Sequence, residues 1–370
     1  MIRADALILG AGPAGAAAAL NLAPTRQVVL VERRAQATPR IGEALPPAAG
    51  RLLADMGLFE DFTTQSHAPC YGNRAVWGAE TVLETDFLRD PDGHGWHLDR
   101  ARFDTWLRRI AVARGALLLT PAQLVTIQRS GDGWQVRIAT AQGAVDLAVG
   151  FVIDAGGRAA SLARRLGARR RVLDRLVCGW VHGWARPIQR GAGLTTVEAV
   201  EDGWWYTTPL PEGRRALAFL TDADLPAARI AHDRACLVQC AATTREIGAI
   251  VAESQFVPNG GGFTAAHSSL LVPAAGERWL AAGDASMTFD PLAAQGLLHA
   301  LFTGLAAALV ADDCLLGSSD AAPRYRELMC GIQQAYRRHL DFYYASESRW
   351  PKAPFWQRRT EPPLPLQGVR

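Results

Sequence analysis

The stretch ADALILGAGPAGAAAALNLA, residues 4–23, carries the clearest structural pattern in the chain. It begins with a continuous apolar run of strand length, passes through three closely spaced glycines and continues as an alanine-rich segment typical of a helix. A second apolar run, QVVLVER at residues 27–33, follows it. This order predicts a strand, a helix and a second strand parallel to the first, which is a βαβ unit.

The glycines Gly10, Gly12 and Gly15 fit the pattern G-x-G-x-x-G at the junction of the predicted strand and helix. The first allows a tight turn, the second lets the backbone approach a pyrophosphate, and the third lets the helix pack closely on the strand. Glu32 ends the second strand, where a carboxylate can accept hydrogen bonds from ribose hydroxyls. We therefore predict a dinucleotide site, with a glycine-rich packing turn as the structural alternative.

A second turn of glycine and acid occurs late in the chain, in GDASMTFDPLAAQGLLHAL at residues 283–301. The preceding apolar run RWLAA predicts a strand that ends at Gly283 and Asp284, and Pro291 suits the start of a helix. Asp284 can accept from sugar-alcohol hydroxyls, and the free N–H groups of 294–297 can stabilise the negative charge of a reduced flavin. A cofactor that reaches both turns must be long and extended, which favours FAD.

Composition limits the class of protein. With 370 residues, 49% of them hydrophobic and 20% charged, the chain is expected to form about two globular domains. The net charge of +3 disfavours a nucleic-acid partner. Six scattered cysteines without metal-ligand spacing predict a reduced, cytoplasmic protein with no metal site. No apolar run of about 18 residues occurs, so no membrane partner is expected.

The rest of the chain predicts an α/β (α+β) fold. It consists of a Rossmann-like FAD-binding βαβ domain with a small antiparallel meander, interleaved with an antiparallel-sheet substrate domain and C-terminal helices. Alternating residues at 122–149 predict the meander, and a Val-, Trp- and Thr-rich segment at 172–220 predicts the second sheet. Helices are predicted at 231–253, 291–312 and 321–346, followed by an irregular Pro-rich tail.

The predicted domains are discontinuous. They comprise residues 1–74, 98–170 and 268–312 for the FAD-binding domain, 75–97 and 171–267 for the substrate-binding sheet, and 313–370 for a C-terminal helical segment and tail.

Four motifs in order resemble those of FAD-dependent group A monooxygenases of the aromatic-hydroxylase type and of flavin-dependent halogenases. They are GAGPAG with Glu32, WHLDRARFDTWL with Arg100, FVIDAGGR at 151–158 and GDASMTFDPLAAQG. The resemblance, from residue 2 to about 310, implies that Asp284 holds the ribityl chain and that Arg100 reaches the phosphate and ribityl region. The predicted FAD contacts are Gly10, Gly12, Pro13, Ala14, Gly15, Glu32, Arg33, Arg40, Arg100, Asp154, Gly157, Gly283, Asp284, Pro291, Gln295 and Gly296.

Lysine content separates the two branches of this resemblance. Halogenases of the fold carry a catalytic lysine soon after the GEA segment, whereas the one lysine of this chain is Lys352, in the tail. Their W-x-W-x-I-P signature is also altered, because DGWWYTTPLP has Tyr206 and Thr208 where Trp and Ile would stand. A hydroxylase that uses a flavin C4a-hydroperoxide is therefore favoured over a halogenase.

Candidate substrate and catalytic residues lie in aromatic stretches. Trp204, Trp205 and Tyr206 are consecutive, so a strand cannot place all three on one side, and we expect Trp204 and Tyr206 to share a face. Candidate acid/base groups are His97, His182 and His299, because histidine titrates near neutral pH. The predicted catalytic residues are His97 and Tyr206, and the predicted substrate residues are Trp204, Trp205 and His182. A packing role is the alternative for each of them.

A narrower resemblance concerns the substrate. Stretches such as CYGNRAVWG, EDGWWYTTPLPEGR and FLTDADL are similar to the flavoprotein maturases of tryptophylquinone-containing amine dehydrogenases and amino-acid oxidases. This implies O2 and a Trp side chain of a precursor protein or peptide as reactants. The arginine-rich segment 162–175 would then steer an acidic partner or, alternatively, form a solvated helix end.

Other functions stay open at this point. They are hydroxylation or halogenation of a small aromatic metabolite, reduction of a prenyl chain, and a non-catalytic flavoprotein chaperone. The electron source is expected to be NAD(P)H or a separate reductase, because no second nucleotide fold is visible in the sequence.

Overall fold

The computed structural model describes residues 1–87 and 90–360. Its strands, in chain order, are β1 Ile2–Leu9, β2 Val28–Val31, β3 Ala44–Leu45, β4 Ala68–Cys70, β5 Gly72–Val76, β6 Val82–Asp86, β7 Gly95–His97, β8 Leu117–Leu119, β9 Ala122–Ser130, β10 Gly133–Thr140, β11 Gly143–Asp154, β12 Arg169–Val172, β13 Leu176–Trp184, β14 Leu194–Val200, β15 Gly203–Leu210, β16 Arg214–Asp222, β17 Val257–Ala265, β18 Ser269–Val272, β19 Ala275–Gly276, β20 Trp279–Ala281 and β21 Met287–Thr288. Its α-helices are α1 Pro13–Leu22, α2 Ala49–Asp55, α3 Phe59–Thr63, α4 Arg100–Ala113, α5 Ser161–Arg165, α6 Ala228–His232, α7 Arg234–Ala241, α8 Glu246–Glu253, α9 Gly296–Leu315, α10 Ala321–Ala345 and α11 Pro354–Thr360.

The chain divides into two compact units. The first comprises Met1–His67, Leu98–Leu173 and His267–Gln333, and the second comprises Ala68–His97, Asp174–Ala266 and Gln334–Arg370. Residues 313–370 do not form the separate segment that we expected, because the two units divide them at Gln333.

The first unit contains the predicted βαβ arrangement. Strand β1 pairs in parallel with β2 on one side and with β11 on the other, in the sheet order β19-β20-β11-β1-β2-β8. The meander joins this sheet because β11 is one long strand. It pairs antiparallel with β10, which pairs with β9, and it continues along β1 as far as Asp154. The Rossmann-like fold with a meander is confirmed.

Helix α9 is the central helix of the first unit and packs against α1. Gly304 allows the close approach, since a Cβ atom at this position would lie 2.4 Å from the carbonyl oxygen of Ala14. By length and composition α9 could cross a membrane, but 56% of its apolar window is buried inside the protein. Its apolar character is thus that of a core helix.

The second unit is built on a seven-stranded sheet in the order β17-β13-β16-β15-β14-β5-β6. Its pairs are antiparallel except for β14 with β5. A core of Val181, Trp205, Leu217 and Phe219 lies on one face, where apolar residues of α6, α7 and α8 cover it. The predicted antiparallel sheet is confirmed.

Helix boundaries differ from the prediction in three places. Residues 231–253 contain two complete helices and the end of another, rather than one long helix. The helix predicted to begin at Pro291 begins at Gly296, because a 3-10 turn at Pro291–Ala293 ends where Ala294 adopts a left-handed φ of +50°. The tail is helical over α11, and its predicted irregular end at 361–370 lies outside the described residues.

Candidate functional site

The strand register brings the predicted cofactor motifs to one edge of the first unit's sheet. Leu9 is paired with both Val31 and Asp154, and Asp154 is paired with Ala281. The parallel strands therefore end level with one another. Gly10 and Glu32 follow directly after β1 and β2, and Gly283 lies two residues after the end of β20. In open α/β sheets, ligands bind at this carboxyl edge.

The glycine turn fits an extended phosphate-bearing cofactor. Gly10 has φ +101°, and a Cβ atom there would lie 2.3 Å from the carbonyl oxygen of Ala155. A Cβ atom at Gly15 would lie 1.8 Å from the carbonyl oxygen of Gly10. Gly12, in contrast, faces open space, with no atom within 4 Å of an added Cβ. Helix α1 begins at Pro13, so the N–H groups of Ala14 and Gly15 have no intrahelical acceptor and are available to a phosphate.

Glu32 is fixed by the glycine turn and by Arg108. Its Oε2 accepts from the Ala11 N–H at 2.9 Å, and its Oε1 accepts from the Arg34 N–H at 3.0 Å. Arg108 Nη2 lies 3.4 Å from Oε2, while Arg108 Nε donates to the Ala11 carbonyl oxygen at 2.7 Å. Because Oε1 has one donor and a second lone pair, Glu32 can still accept from a ribose hydroxyl.

Arg100 and Arg40 lie around one buried carboxylate, that of Asp104. Arg100 donates from Nη1 to the Gly42 carbonyl oxygen at 2.8 Å, and its Nη2 lies 3.3 Å from Asp104 Oδ1. Arg40 Nη2 is 3.8 Å from Asp104 Oδ2. Burial and the positive charge of Arg100 lower the pKa of Arg40. Two cations and one anion leave a net positive charge at this position, which suits a phosphate. The side chain of Arg33, another predicted FAD contact, is exposed.

Asp154 holds its own turn together. Its Oδ1 accepts from the Gly156 N–H at 2.9 Å, and its Oδ2 accepts from the Ala163 N–H at 2.8 Å. The side chain is fully buried, and burial raises the pKa of this carboxyl despite these hydrogen bonds. Gly157 has φ +72° and faces open space. The contacts assign Asp154 to positioning of the middle motif.

The turn at Asp284 is held by residues from three segments. Arg170 donates to the carbonyl oxygens of Asp284 and Ala285 at 3.0 and 2.6 Å. Thr303, on α9, accepts from the Gly283 N–H at 2.8 Å. The side chain of Asp284 is 43% exposed, with Arg158 Nε at 3.8 Å. A carboxylate that is half open beside two arginines can accept hydrogen bonds from a polyol.

The start of α9 supplies backbone N–H groups near this turn. Asp290 caps the 3-10 turn by accepting from the Leu292 N–H at 2.9 Å. The first intrahelical bond of α9 joins the His299 N–H to the Gln295 carbonyl oxygen. The N–H groups of 296–298 precede that bond, and Gly296 faces open space. This arrangement suits an anionic edge of a flavin ring, and that role of residues 294–297 stays a prediction.

His299 lies inside the first unit. Its Nε2 is 3.4 Å from Ser286 Oγ, and its ring lies 4.7 Å from that of Phe289. Burial lowers its pKa to about 4. His299 is therefore neutral at physiological pH.

In the second unit, the predicted substrate residues occupy both faces of the sheet. Trp204 and Tyr206 share a face, as expected, with ring centroids 6.4 Å apart. His182 lies on the same face, because it pairs with Ala216, which pairs with Thr208. Trp205 projects from the opposite face and packs at 4.6 Å on Phe219 in the helix-covered core. The expected substrate role of Trp205 is thereby corrected to core packing.

The side chains of Trp204 and His97 are also buried. Trp204 is 1% exposed and donates from Nε1 to the Tyr344 hydroxyl at 3.2 Å. His97 Nε2 lies 3.0 Å from Thr195 Oγ1, which lies 3.1 Å from Thr208 Oγ1. Burial, and then the charge of Arg215, lower the pKa of His97 to about 3. His97 is neutral at physiological pH and reaches the shared face through two threonines.

The sequence did not single out three residues that hold the cofactor motifs: Arg108, Arg170 and Thr303. A signal existed for Arg108, since Arg100, Asp104 and Arg108 are spaced by four residues on one face of α4. Arg170 belongs to the arginine-rich segment that we interpreted as steering or solvated, and its contacts place it beneath the Asp284 turn. None of the six cysteines, all of which lie among the described residues, forms a disulfide bond, and no cluster of potential metal ligands occurs among residues 1–87 and 90–360.

Comparisons with known proteins identify the family of the chain. The protein-family model described as FAD binding domain matches residues 3–320. A putative FAD-dependent oxidoreductase, LodB of Marinomonas mediterranea, is 31% identical over 362 residues, which is 96% of each chain.

Two solved structures are similar over nearly the whole chain. CmlS, a flavin-dependent halogenase, superposes with a TM-score of 0.86 at 24% identity and covers 97% of this chain and 68% of its own. QhpG, a peptidyl tryptophan dihydroxylase essential for tryptophylquinone cofactor biogenesis, gives a TM-score of 0.74 at 25% identity and covers 99% of this chain and 81% of its own. With the matched residues 3–320 and the similarity to LodB, the chain belongs to the FAD-binding-domain family and is an FAD-dependent oxidoreductase.

Proposed function

We propose that this oxidoreductase is a monooxygenase that hydroxylates the indole ring of a Trp side chain in a precursor protein or peptide, as a step in tryptophylquinone formation. The observation that carries the proposal is the similarity to QhpG, which extends over 99% of the chain and thus over both units. Small-aromatic hydroxylation and halogenation are the competing activities, because halogenases share the fold.

Lysine content favours hydroxylation over halogenation. The chain has one lysine, Lys352, which is exposed and lies between α10 and α11 in the second unit. Residues 1–351 contain none, so no lysine follows the GEA segment at 42–44, where halogenases of this fold place theirs. Without that amine, the means of relaying an electrophilic halogen is missing.

The residues of the first unit would bind the cofactor in an extended form. Glu32 would accept from the ribose, the start of α1 with Arg40 and Arg100 would hold the phosphates, and Asp284 would hold the ribityl hydroxyls. When bound and reduced, FAD supplies the activation of O2. The reducing equivalents would come from NAD(P)H or from a separate reductase.

The residues of the second unit would receive the aromatic ring. Tyr206 and His182 lie on the same sheet face, and the buried chain His97–Thr195–Thr208 ends there. Because burial holds the pKa of His97 at about 3, the ring stays neutral and neither takes up nor gives a proton at neutral pH. We assign it to orienting Thr195 and, through it, Thr208.

The test is mass spectrometry of a Trp-containing precursor of a tryptophylquinone enzyme, incubated with FAD-loaded protein, a reductant and isotope-labelled O2. We expect labelled oxygen on the Trp side chain and none on free L-tryptophan. Lys352→Ala should hydroxylate at the wild-type rate. Oxygen on free tryptophan alone would favour a small-metabolite hydroxylase, and bromine incorporation that Lys352→Ala abolishes would establish the halogenase instead.

A further inference from the structure

A row of polar side chains crosses four neighbouring strands of the second unit's sheet. Arg74 on β5 is paired with Thr196 on β14, and Thr196 is paired with Thr207 on β15. Arg215 on β16 completes the row by donating from Nη1 to Thr207 Oγ1 at 3.2 Å. Thr196 is 1% exposed and Arg215 is 5% exposed, so the row is buried.

Three hydrogen-bond donors in this row have no acceptor among the residues that the structure describes. They are Arg74 Nε, Thr196 Oγ1 and Arg215 Nε. Buried polar groups in native proteins are satisfied with few exceptions. Here Arg74 and Thr196 lie on adjacent strands, and Arg215 lies two strands from Thr196, with Thr207 on the strand between them. Gly191 lies next to two of these side chains, because a Cβ atom there would be 3.3 Å from Thr196 Oγ1 and 3.6 Å from Arg74 Cδ.

The two buried acids beside the row already have partners. Glu246 accepts from Arg74 Nη2 at 2.8 Å and from Arg190 Nη1 at 3.3 Å. Glu198 accepts from the first three N–H groups at the start of α8 at 2.8–3.0 Å. Glu84, on the surface, pairs with Arg74 Nη1.

Arg215 thus has no carboxylate partner within the described chain. Burial lowers its pKa to about 10, so it is still a cation at neutral pH. An isolated buried charge is costly unless it is paired.

We propose that Arg74, Thr196 and Arg215 form a binding site for a small monovalent anion of the halide type, in the second unit and separate from the flavin motifs. A halide accepts hydrogen bonds from several donors at once, and its negative charge would pair with the guanidinium of Arg215. A water molecule accepts two hydrogen bonds at most and would bring two hydrogens of its own. A phosphate or sulfate needs more room and would place extra negative charge beside Glu246.

The site is tested by unfolding the FAD-loaded full chain at constant ionic strength while chloride replaces gluconate, a much larger organic anion. We expect the melting temperature to rise with chloride and to saturate. Thr196→Val, which removes one donor without changing the shape of the side chain, should weaken chloride binding about tenfold. Arg215→Met should abolish the chloride dependence, whereas Arg186→Gln, which changes an exposed arginine of the same unit, should retain it.

Crystals grown with bromide give the direct readout. An anomalous bromide peak within hydrogen-bond distance of Thr196 Oγ1 and Arg215 Nε would support the site. The proposal is overturned if the melting temperature is the same in chloride and gluconate, if Thr196→Val retains the full chloride response, or if the position holds water in bromide. Should Arg215→Met fail to fold, Thr196→Val and the bromide crystals still decide.

Discussion

Arg108 Nη2 lies 3.4 Å from Glu32 Oε2, and the same guanidinium donates to the carbonyl oxygen of Ala11 in the glycine turn. One side chain from α4 thereby holds both the acid at the end of β2 and the turn after β1. Both groups are largely buried, which strengthens the interaction relative to a surface pair.

Replacing Arg108 should weaken FAD binding. Arg108→Met leaves the Ala11 carbonyl oxygen and Glu32 without their partner, and we expect an increase of about tenfold to a hundredfold in the FAD dissociation constant. The measurement is titration of the FAD-free protein by flavin fluorescence. The control is Arg109→Met at the neighbouring exposed position; an equal loss of affinity in both variants would rule out the specific role of Arg108.

Two glycines of the same turn should respond differently to alanine. Gly12→Ala places a methyl group in open space, so the FAD-free protein should melt as wild type. FAD affinity should fall, because the methyl would hinder the close approach of a pyrophosphate to the backbone. Gly15→Ala forces a methyl to within 1.8 Å of the Gly10 carbonyl oxygen and should cost about 3 kcal/mol or more of folding stability. Calorimetry of the FAD-free variants separates the effects, and a destabilised Gly12→Ala would contradict this assignment.

The buried His299 should make the protein less stable in mild acid. Its pKa is about 4 in the folded protein against 6.5 for the unfolded chain, so between these values the unfolded state binds more protons. The contribution of the neutral imidazole is complete above about pH 6.5 and is lost as the pH falls towards 4. His299→Asn should reduce the slope of unfolding free energy against pH in this window by about 1.4 kcal/mol per pH unit. Urea unfolding at several pH values measures it, with the exposed His339→Asn expected to keep the wild-type slope.

Substitutions at Trp205 and Tyr206 should distinguish a side chain that packs in the core from one that contacts the substrate. Trp205→Ala removes a core side chain that packs on Phe219 and should cost about 3–5 kcal/mol of stability. Tyr206→Phe should leave the FAD spectrum and affinity unchanged and should lower turnover of the Trp-bearing precursor. Wild-type turnover by Tyr206→Phe would remove Tyr206 from the proposed site.

Much of the fold follows from local patterns. Strand and helix periods, the glycine turn and the alternation at 122–149 report backbone conformation directly, so the βαβ unit, the meander and the second sheet were predictable. Period-two alternation alone also placed Trp204 and Tyr206 on one face. The interruption of the helix before Gly296 was not predictable, because no residue type near Ala294 indicates that this alanine adopts the left-handed conformation.

Residue patterns were sufficient to predict that the chain binds an extended dinucleotide, since the four motifs and their order depend on residue types at short spacing. How the motifs meet depends on the tertiary structure. The register that pairs Leu9 with Val31 and Asp154 brings distant segments to one edge, and Arg108 reaches Ala11 across 97 residues of chain. Contacts of this range depend on packing and register, which local periodicity does not encode. For the same reason the sequence did not predict the row of polar side chains that includes Thr196 and Arg215. The strands that carry this row become neighbours only in the folded sheet.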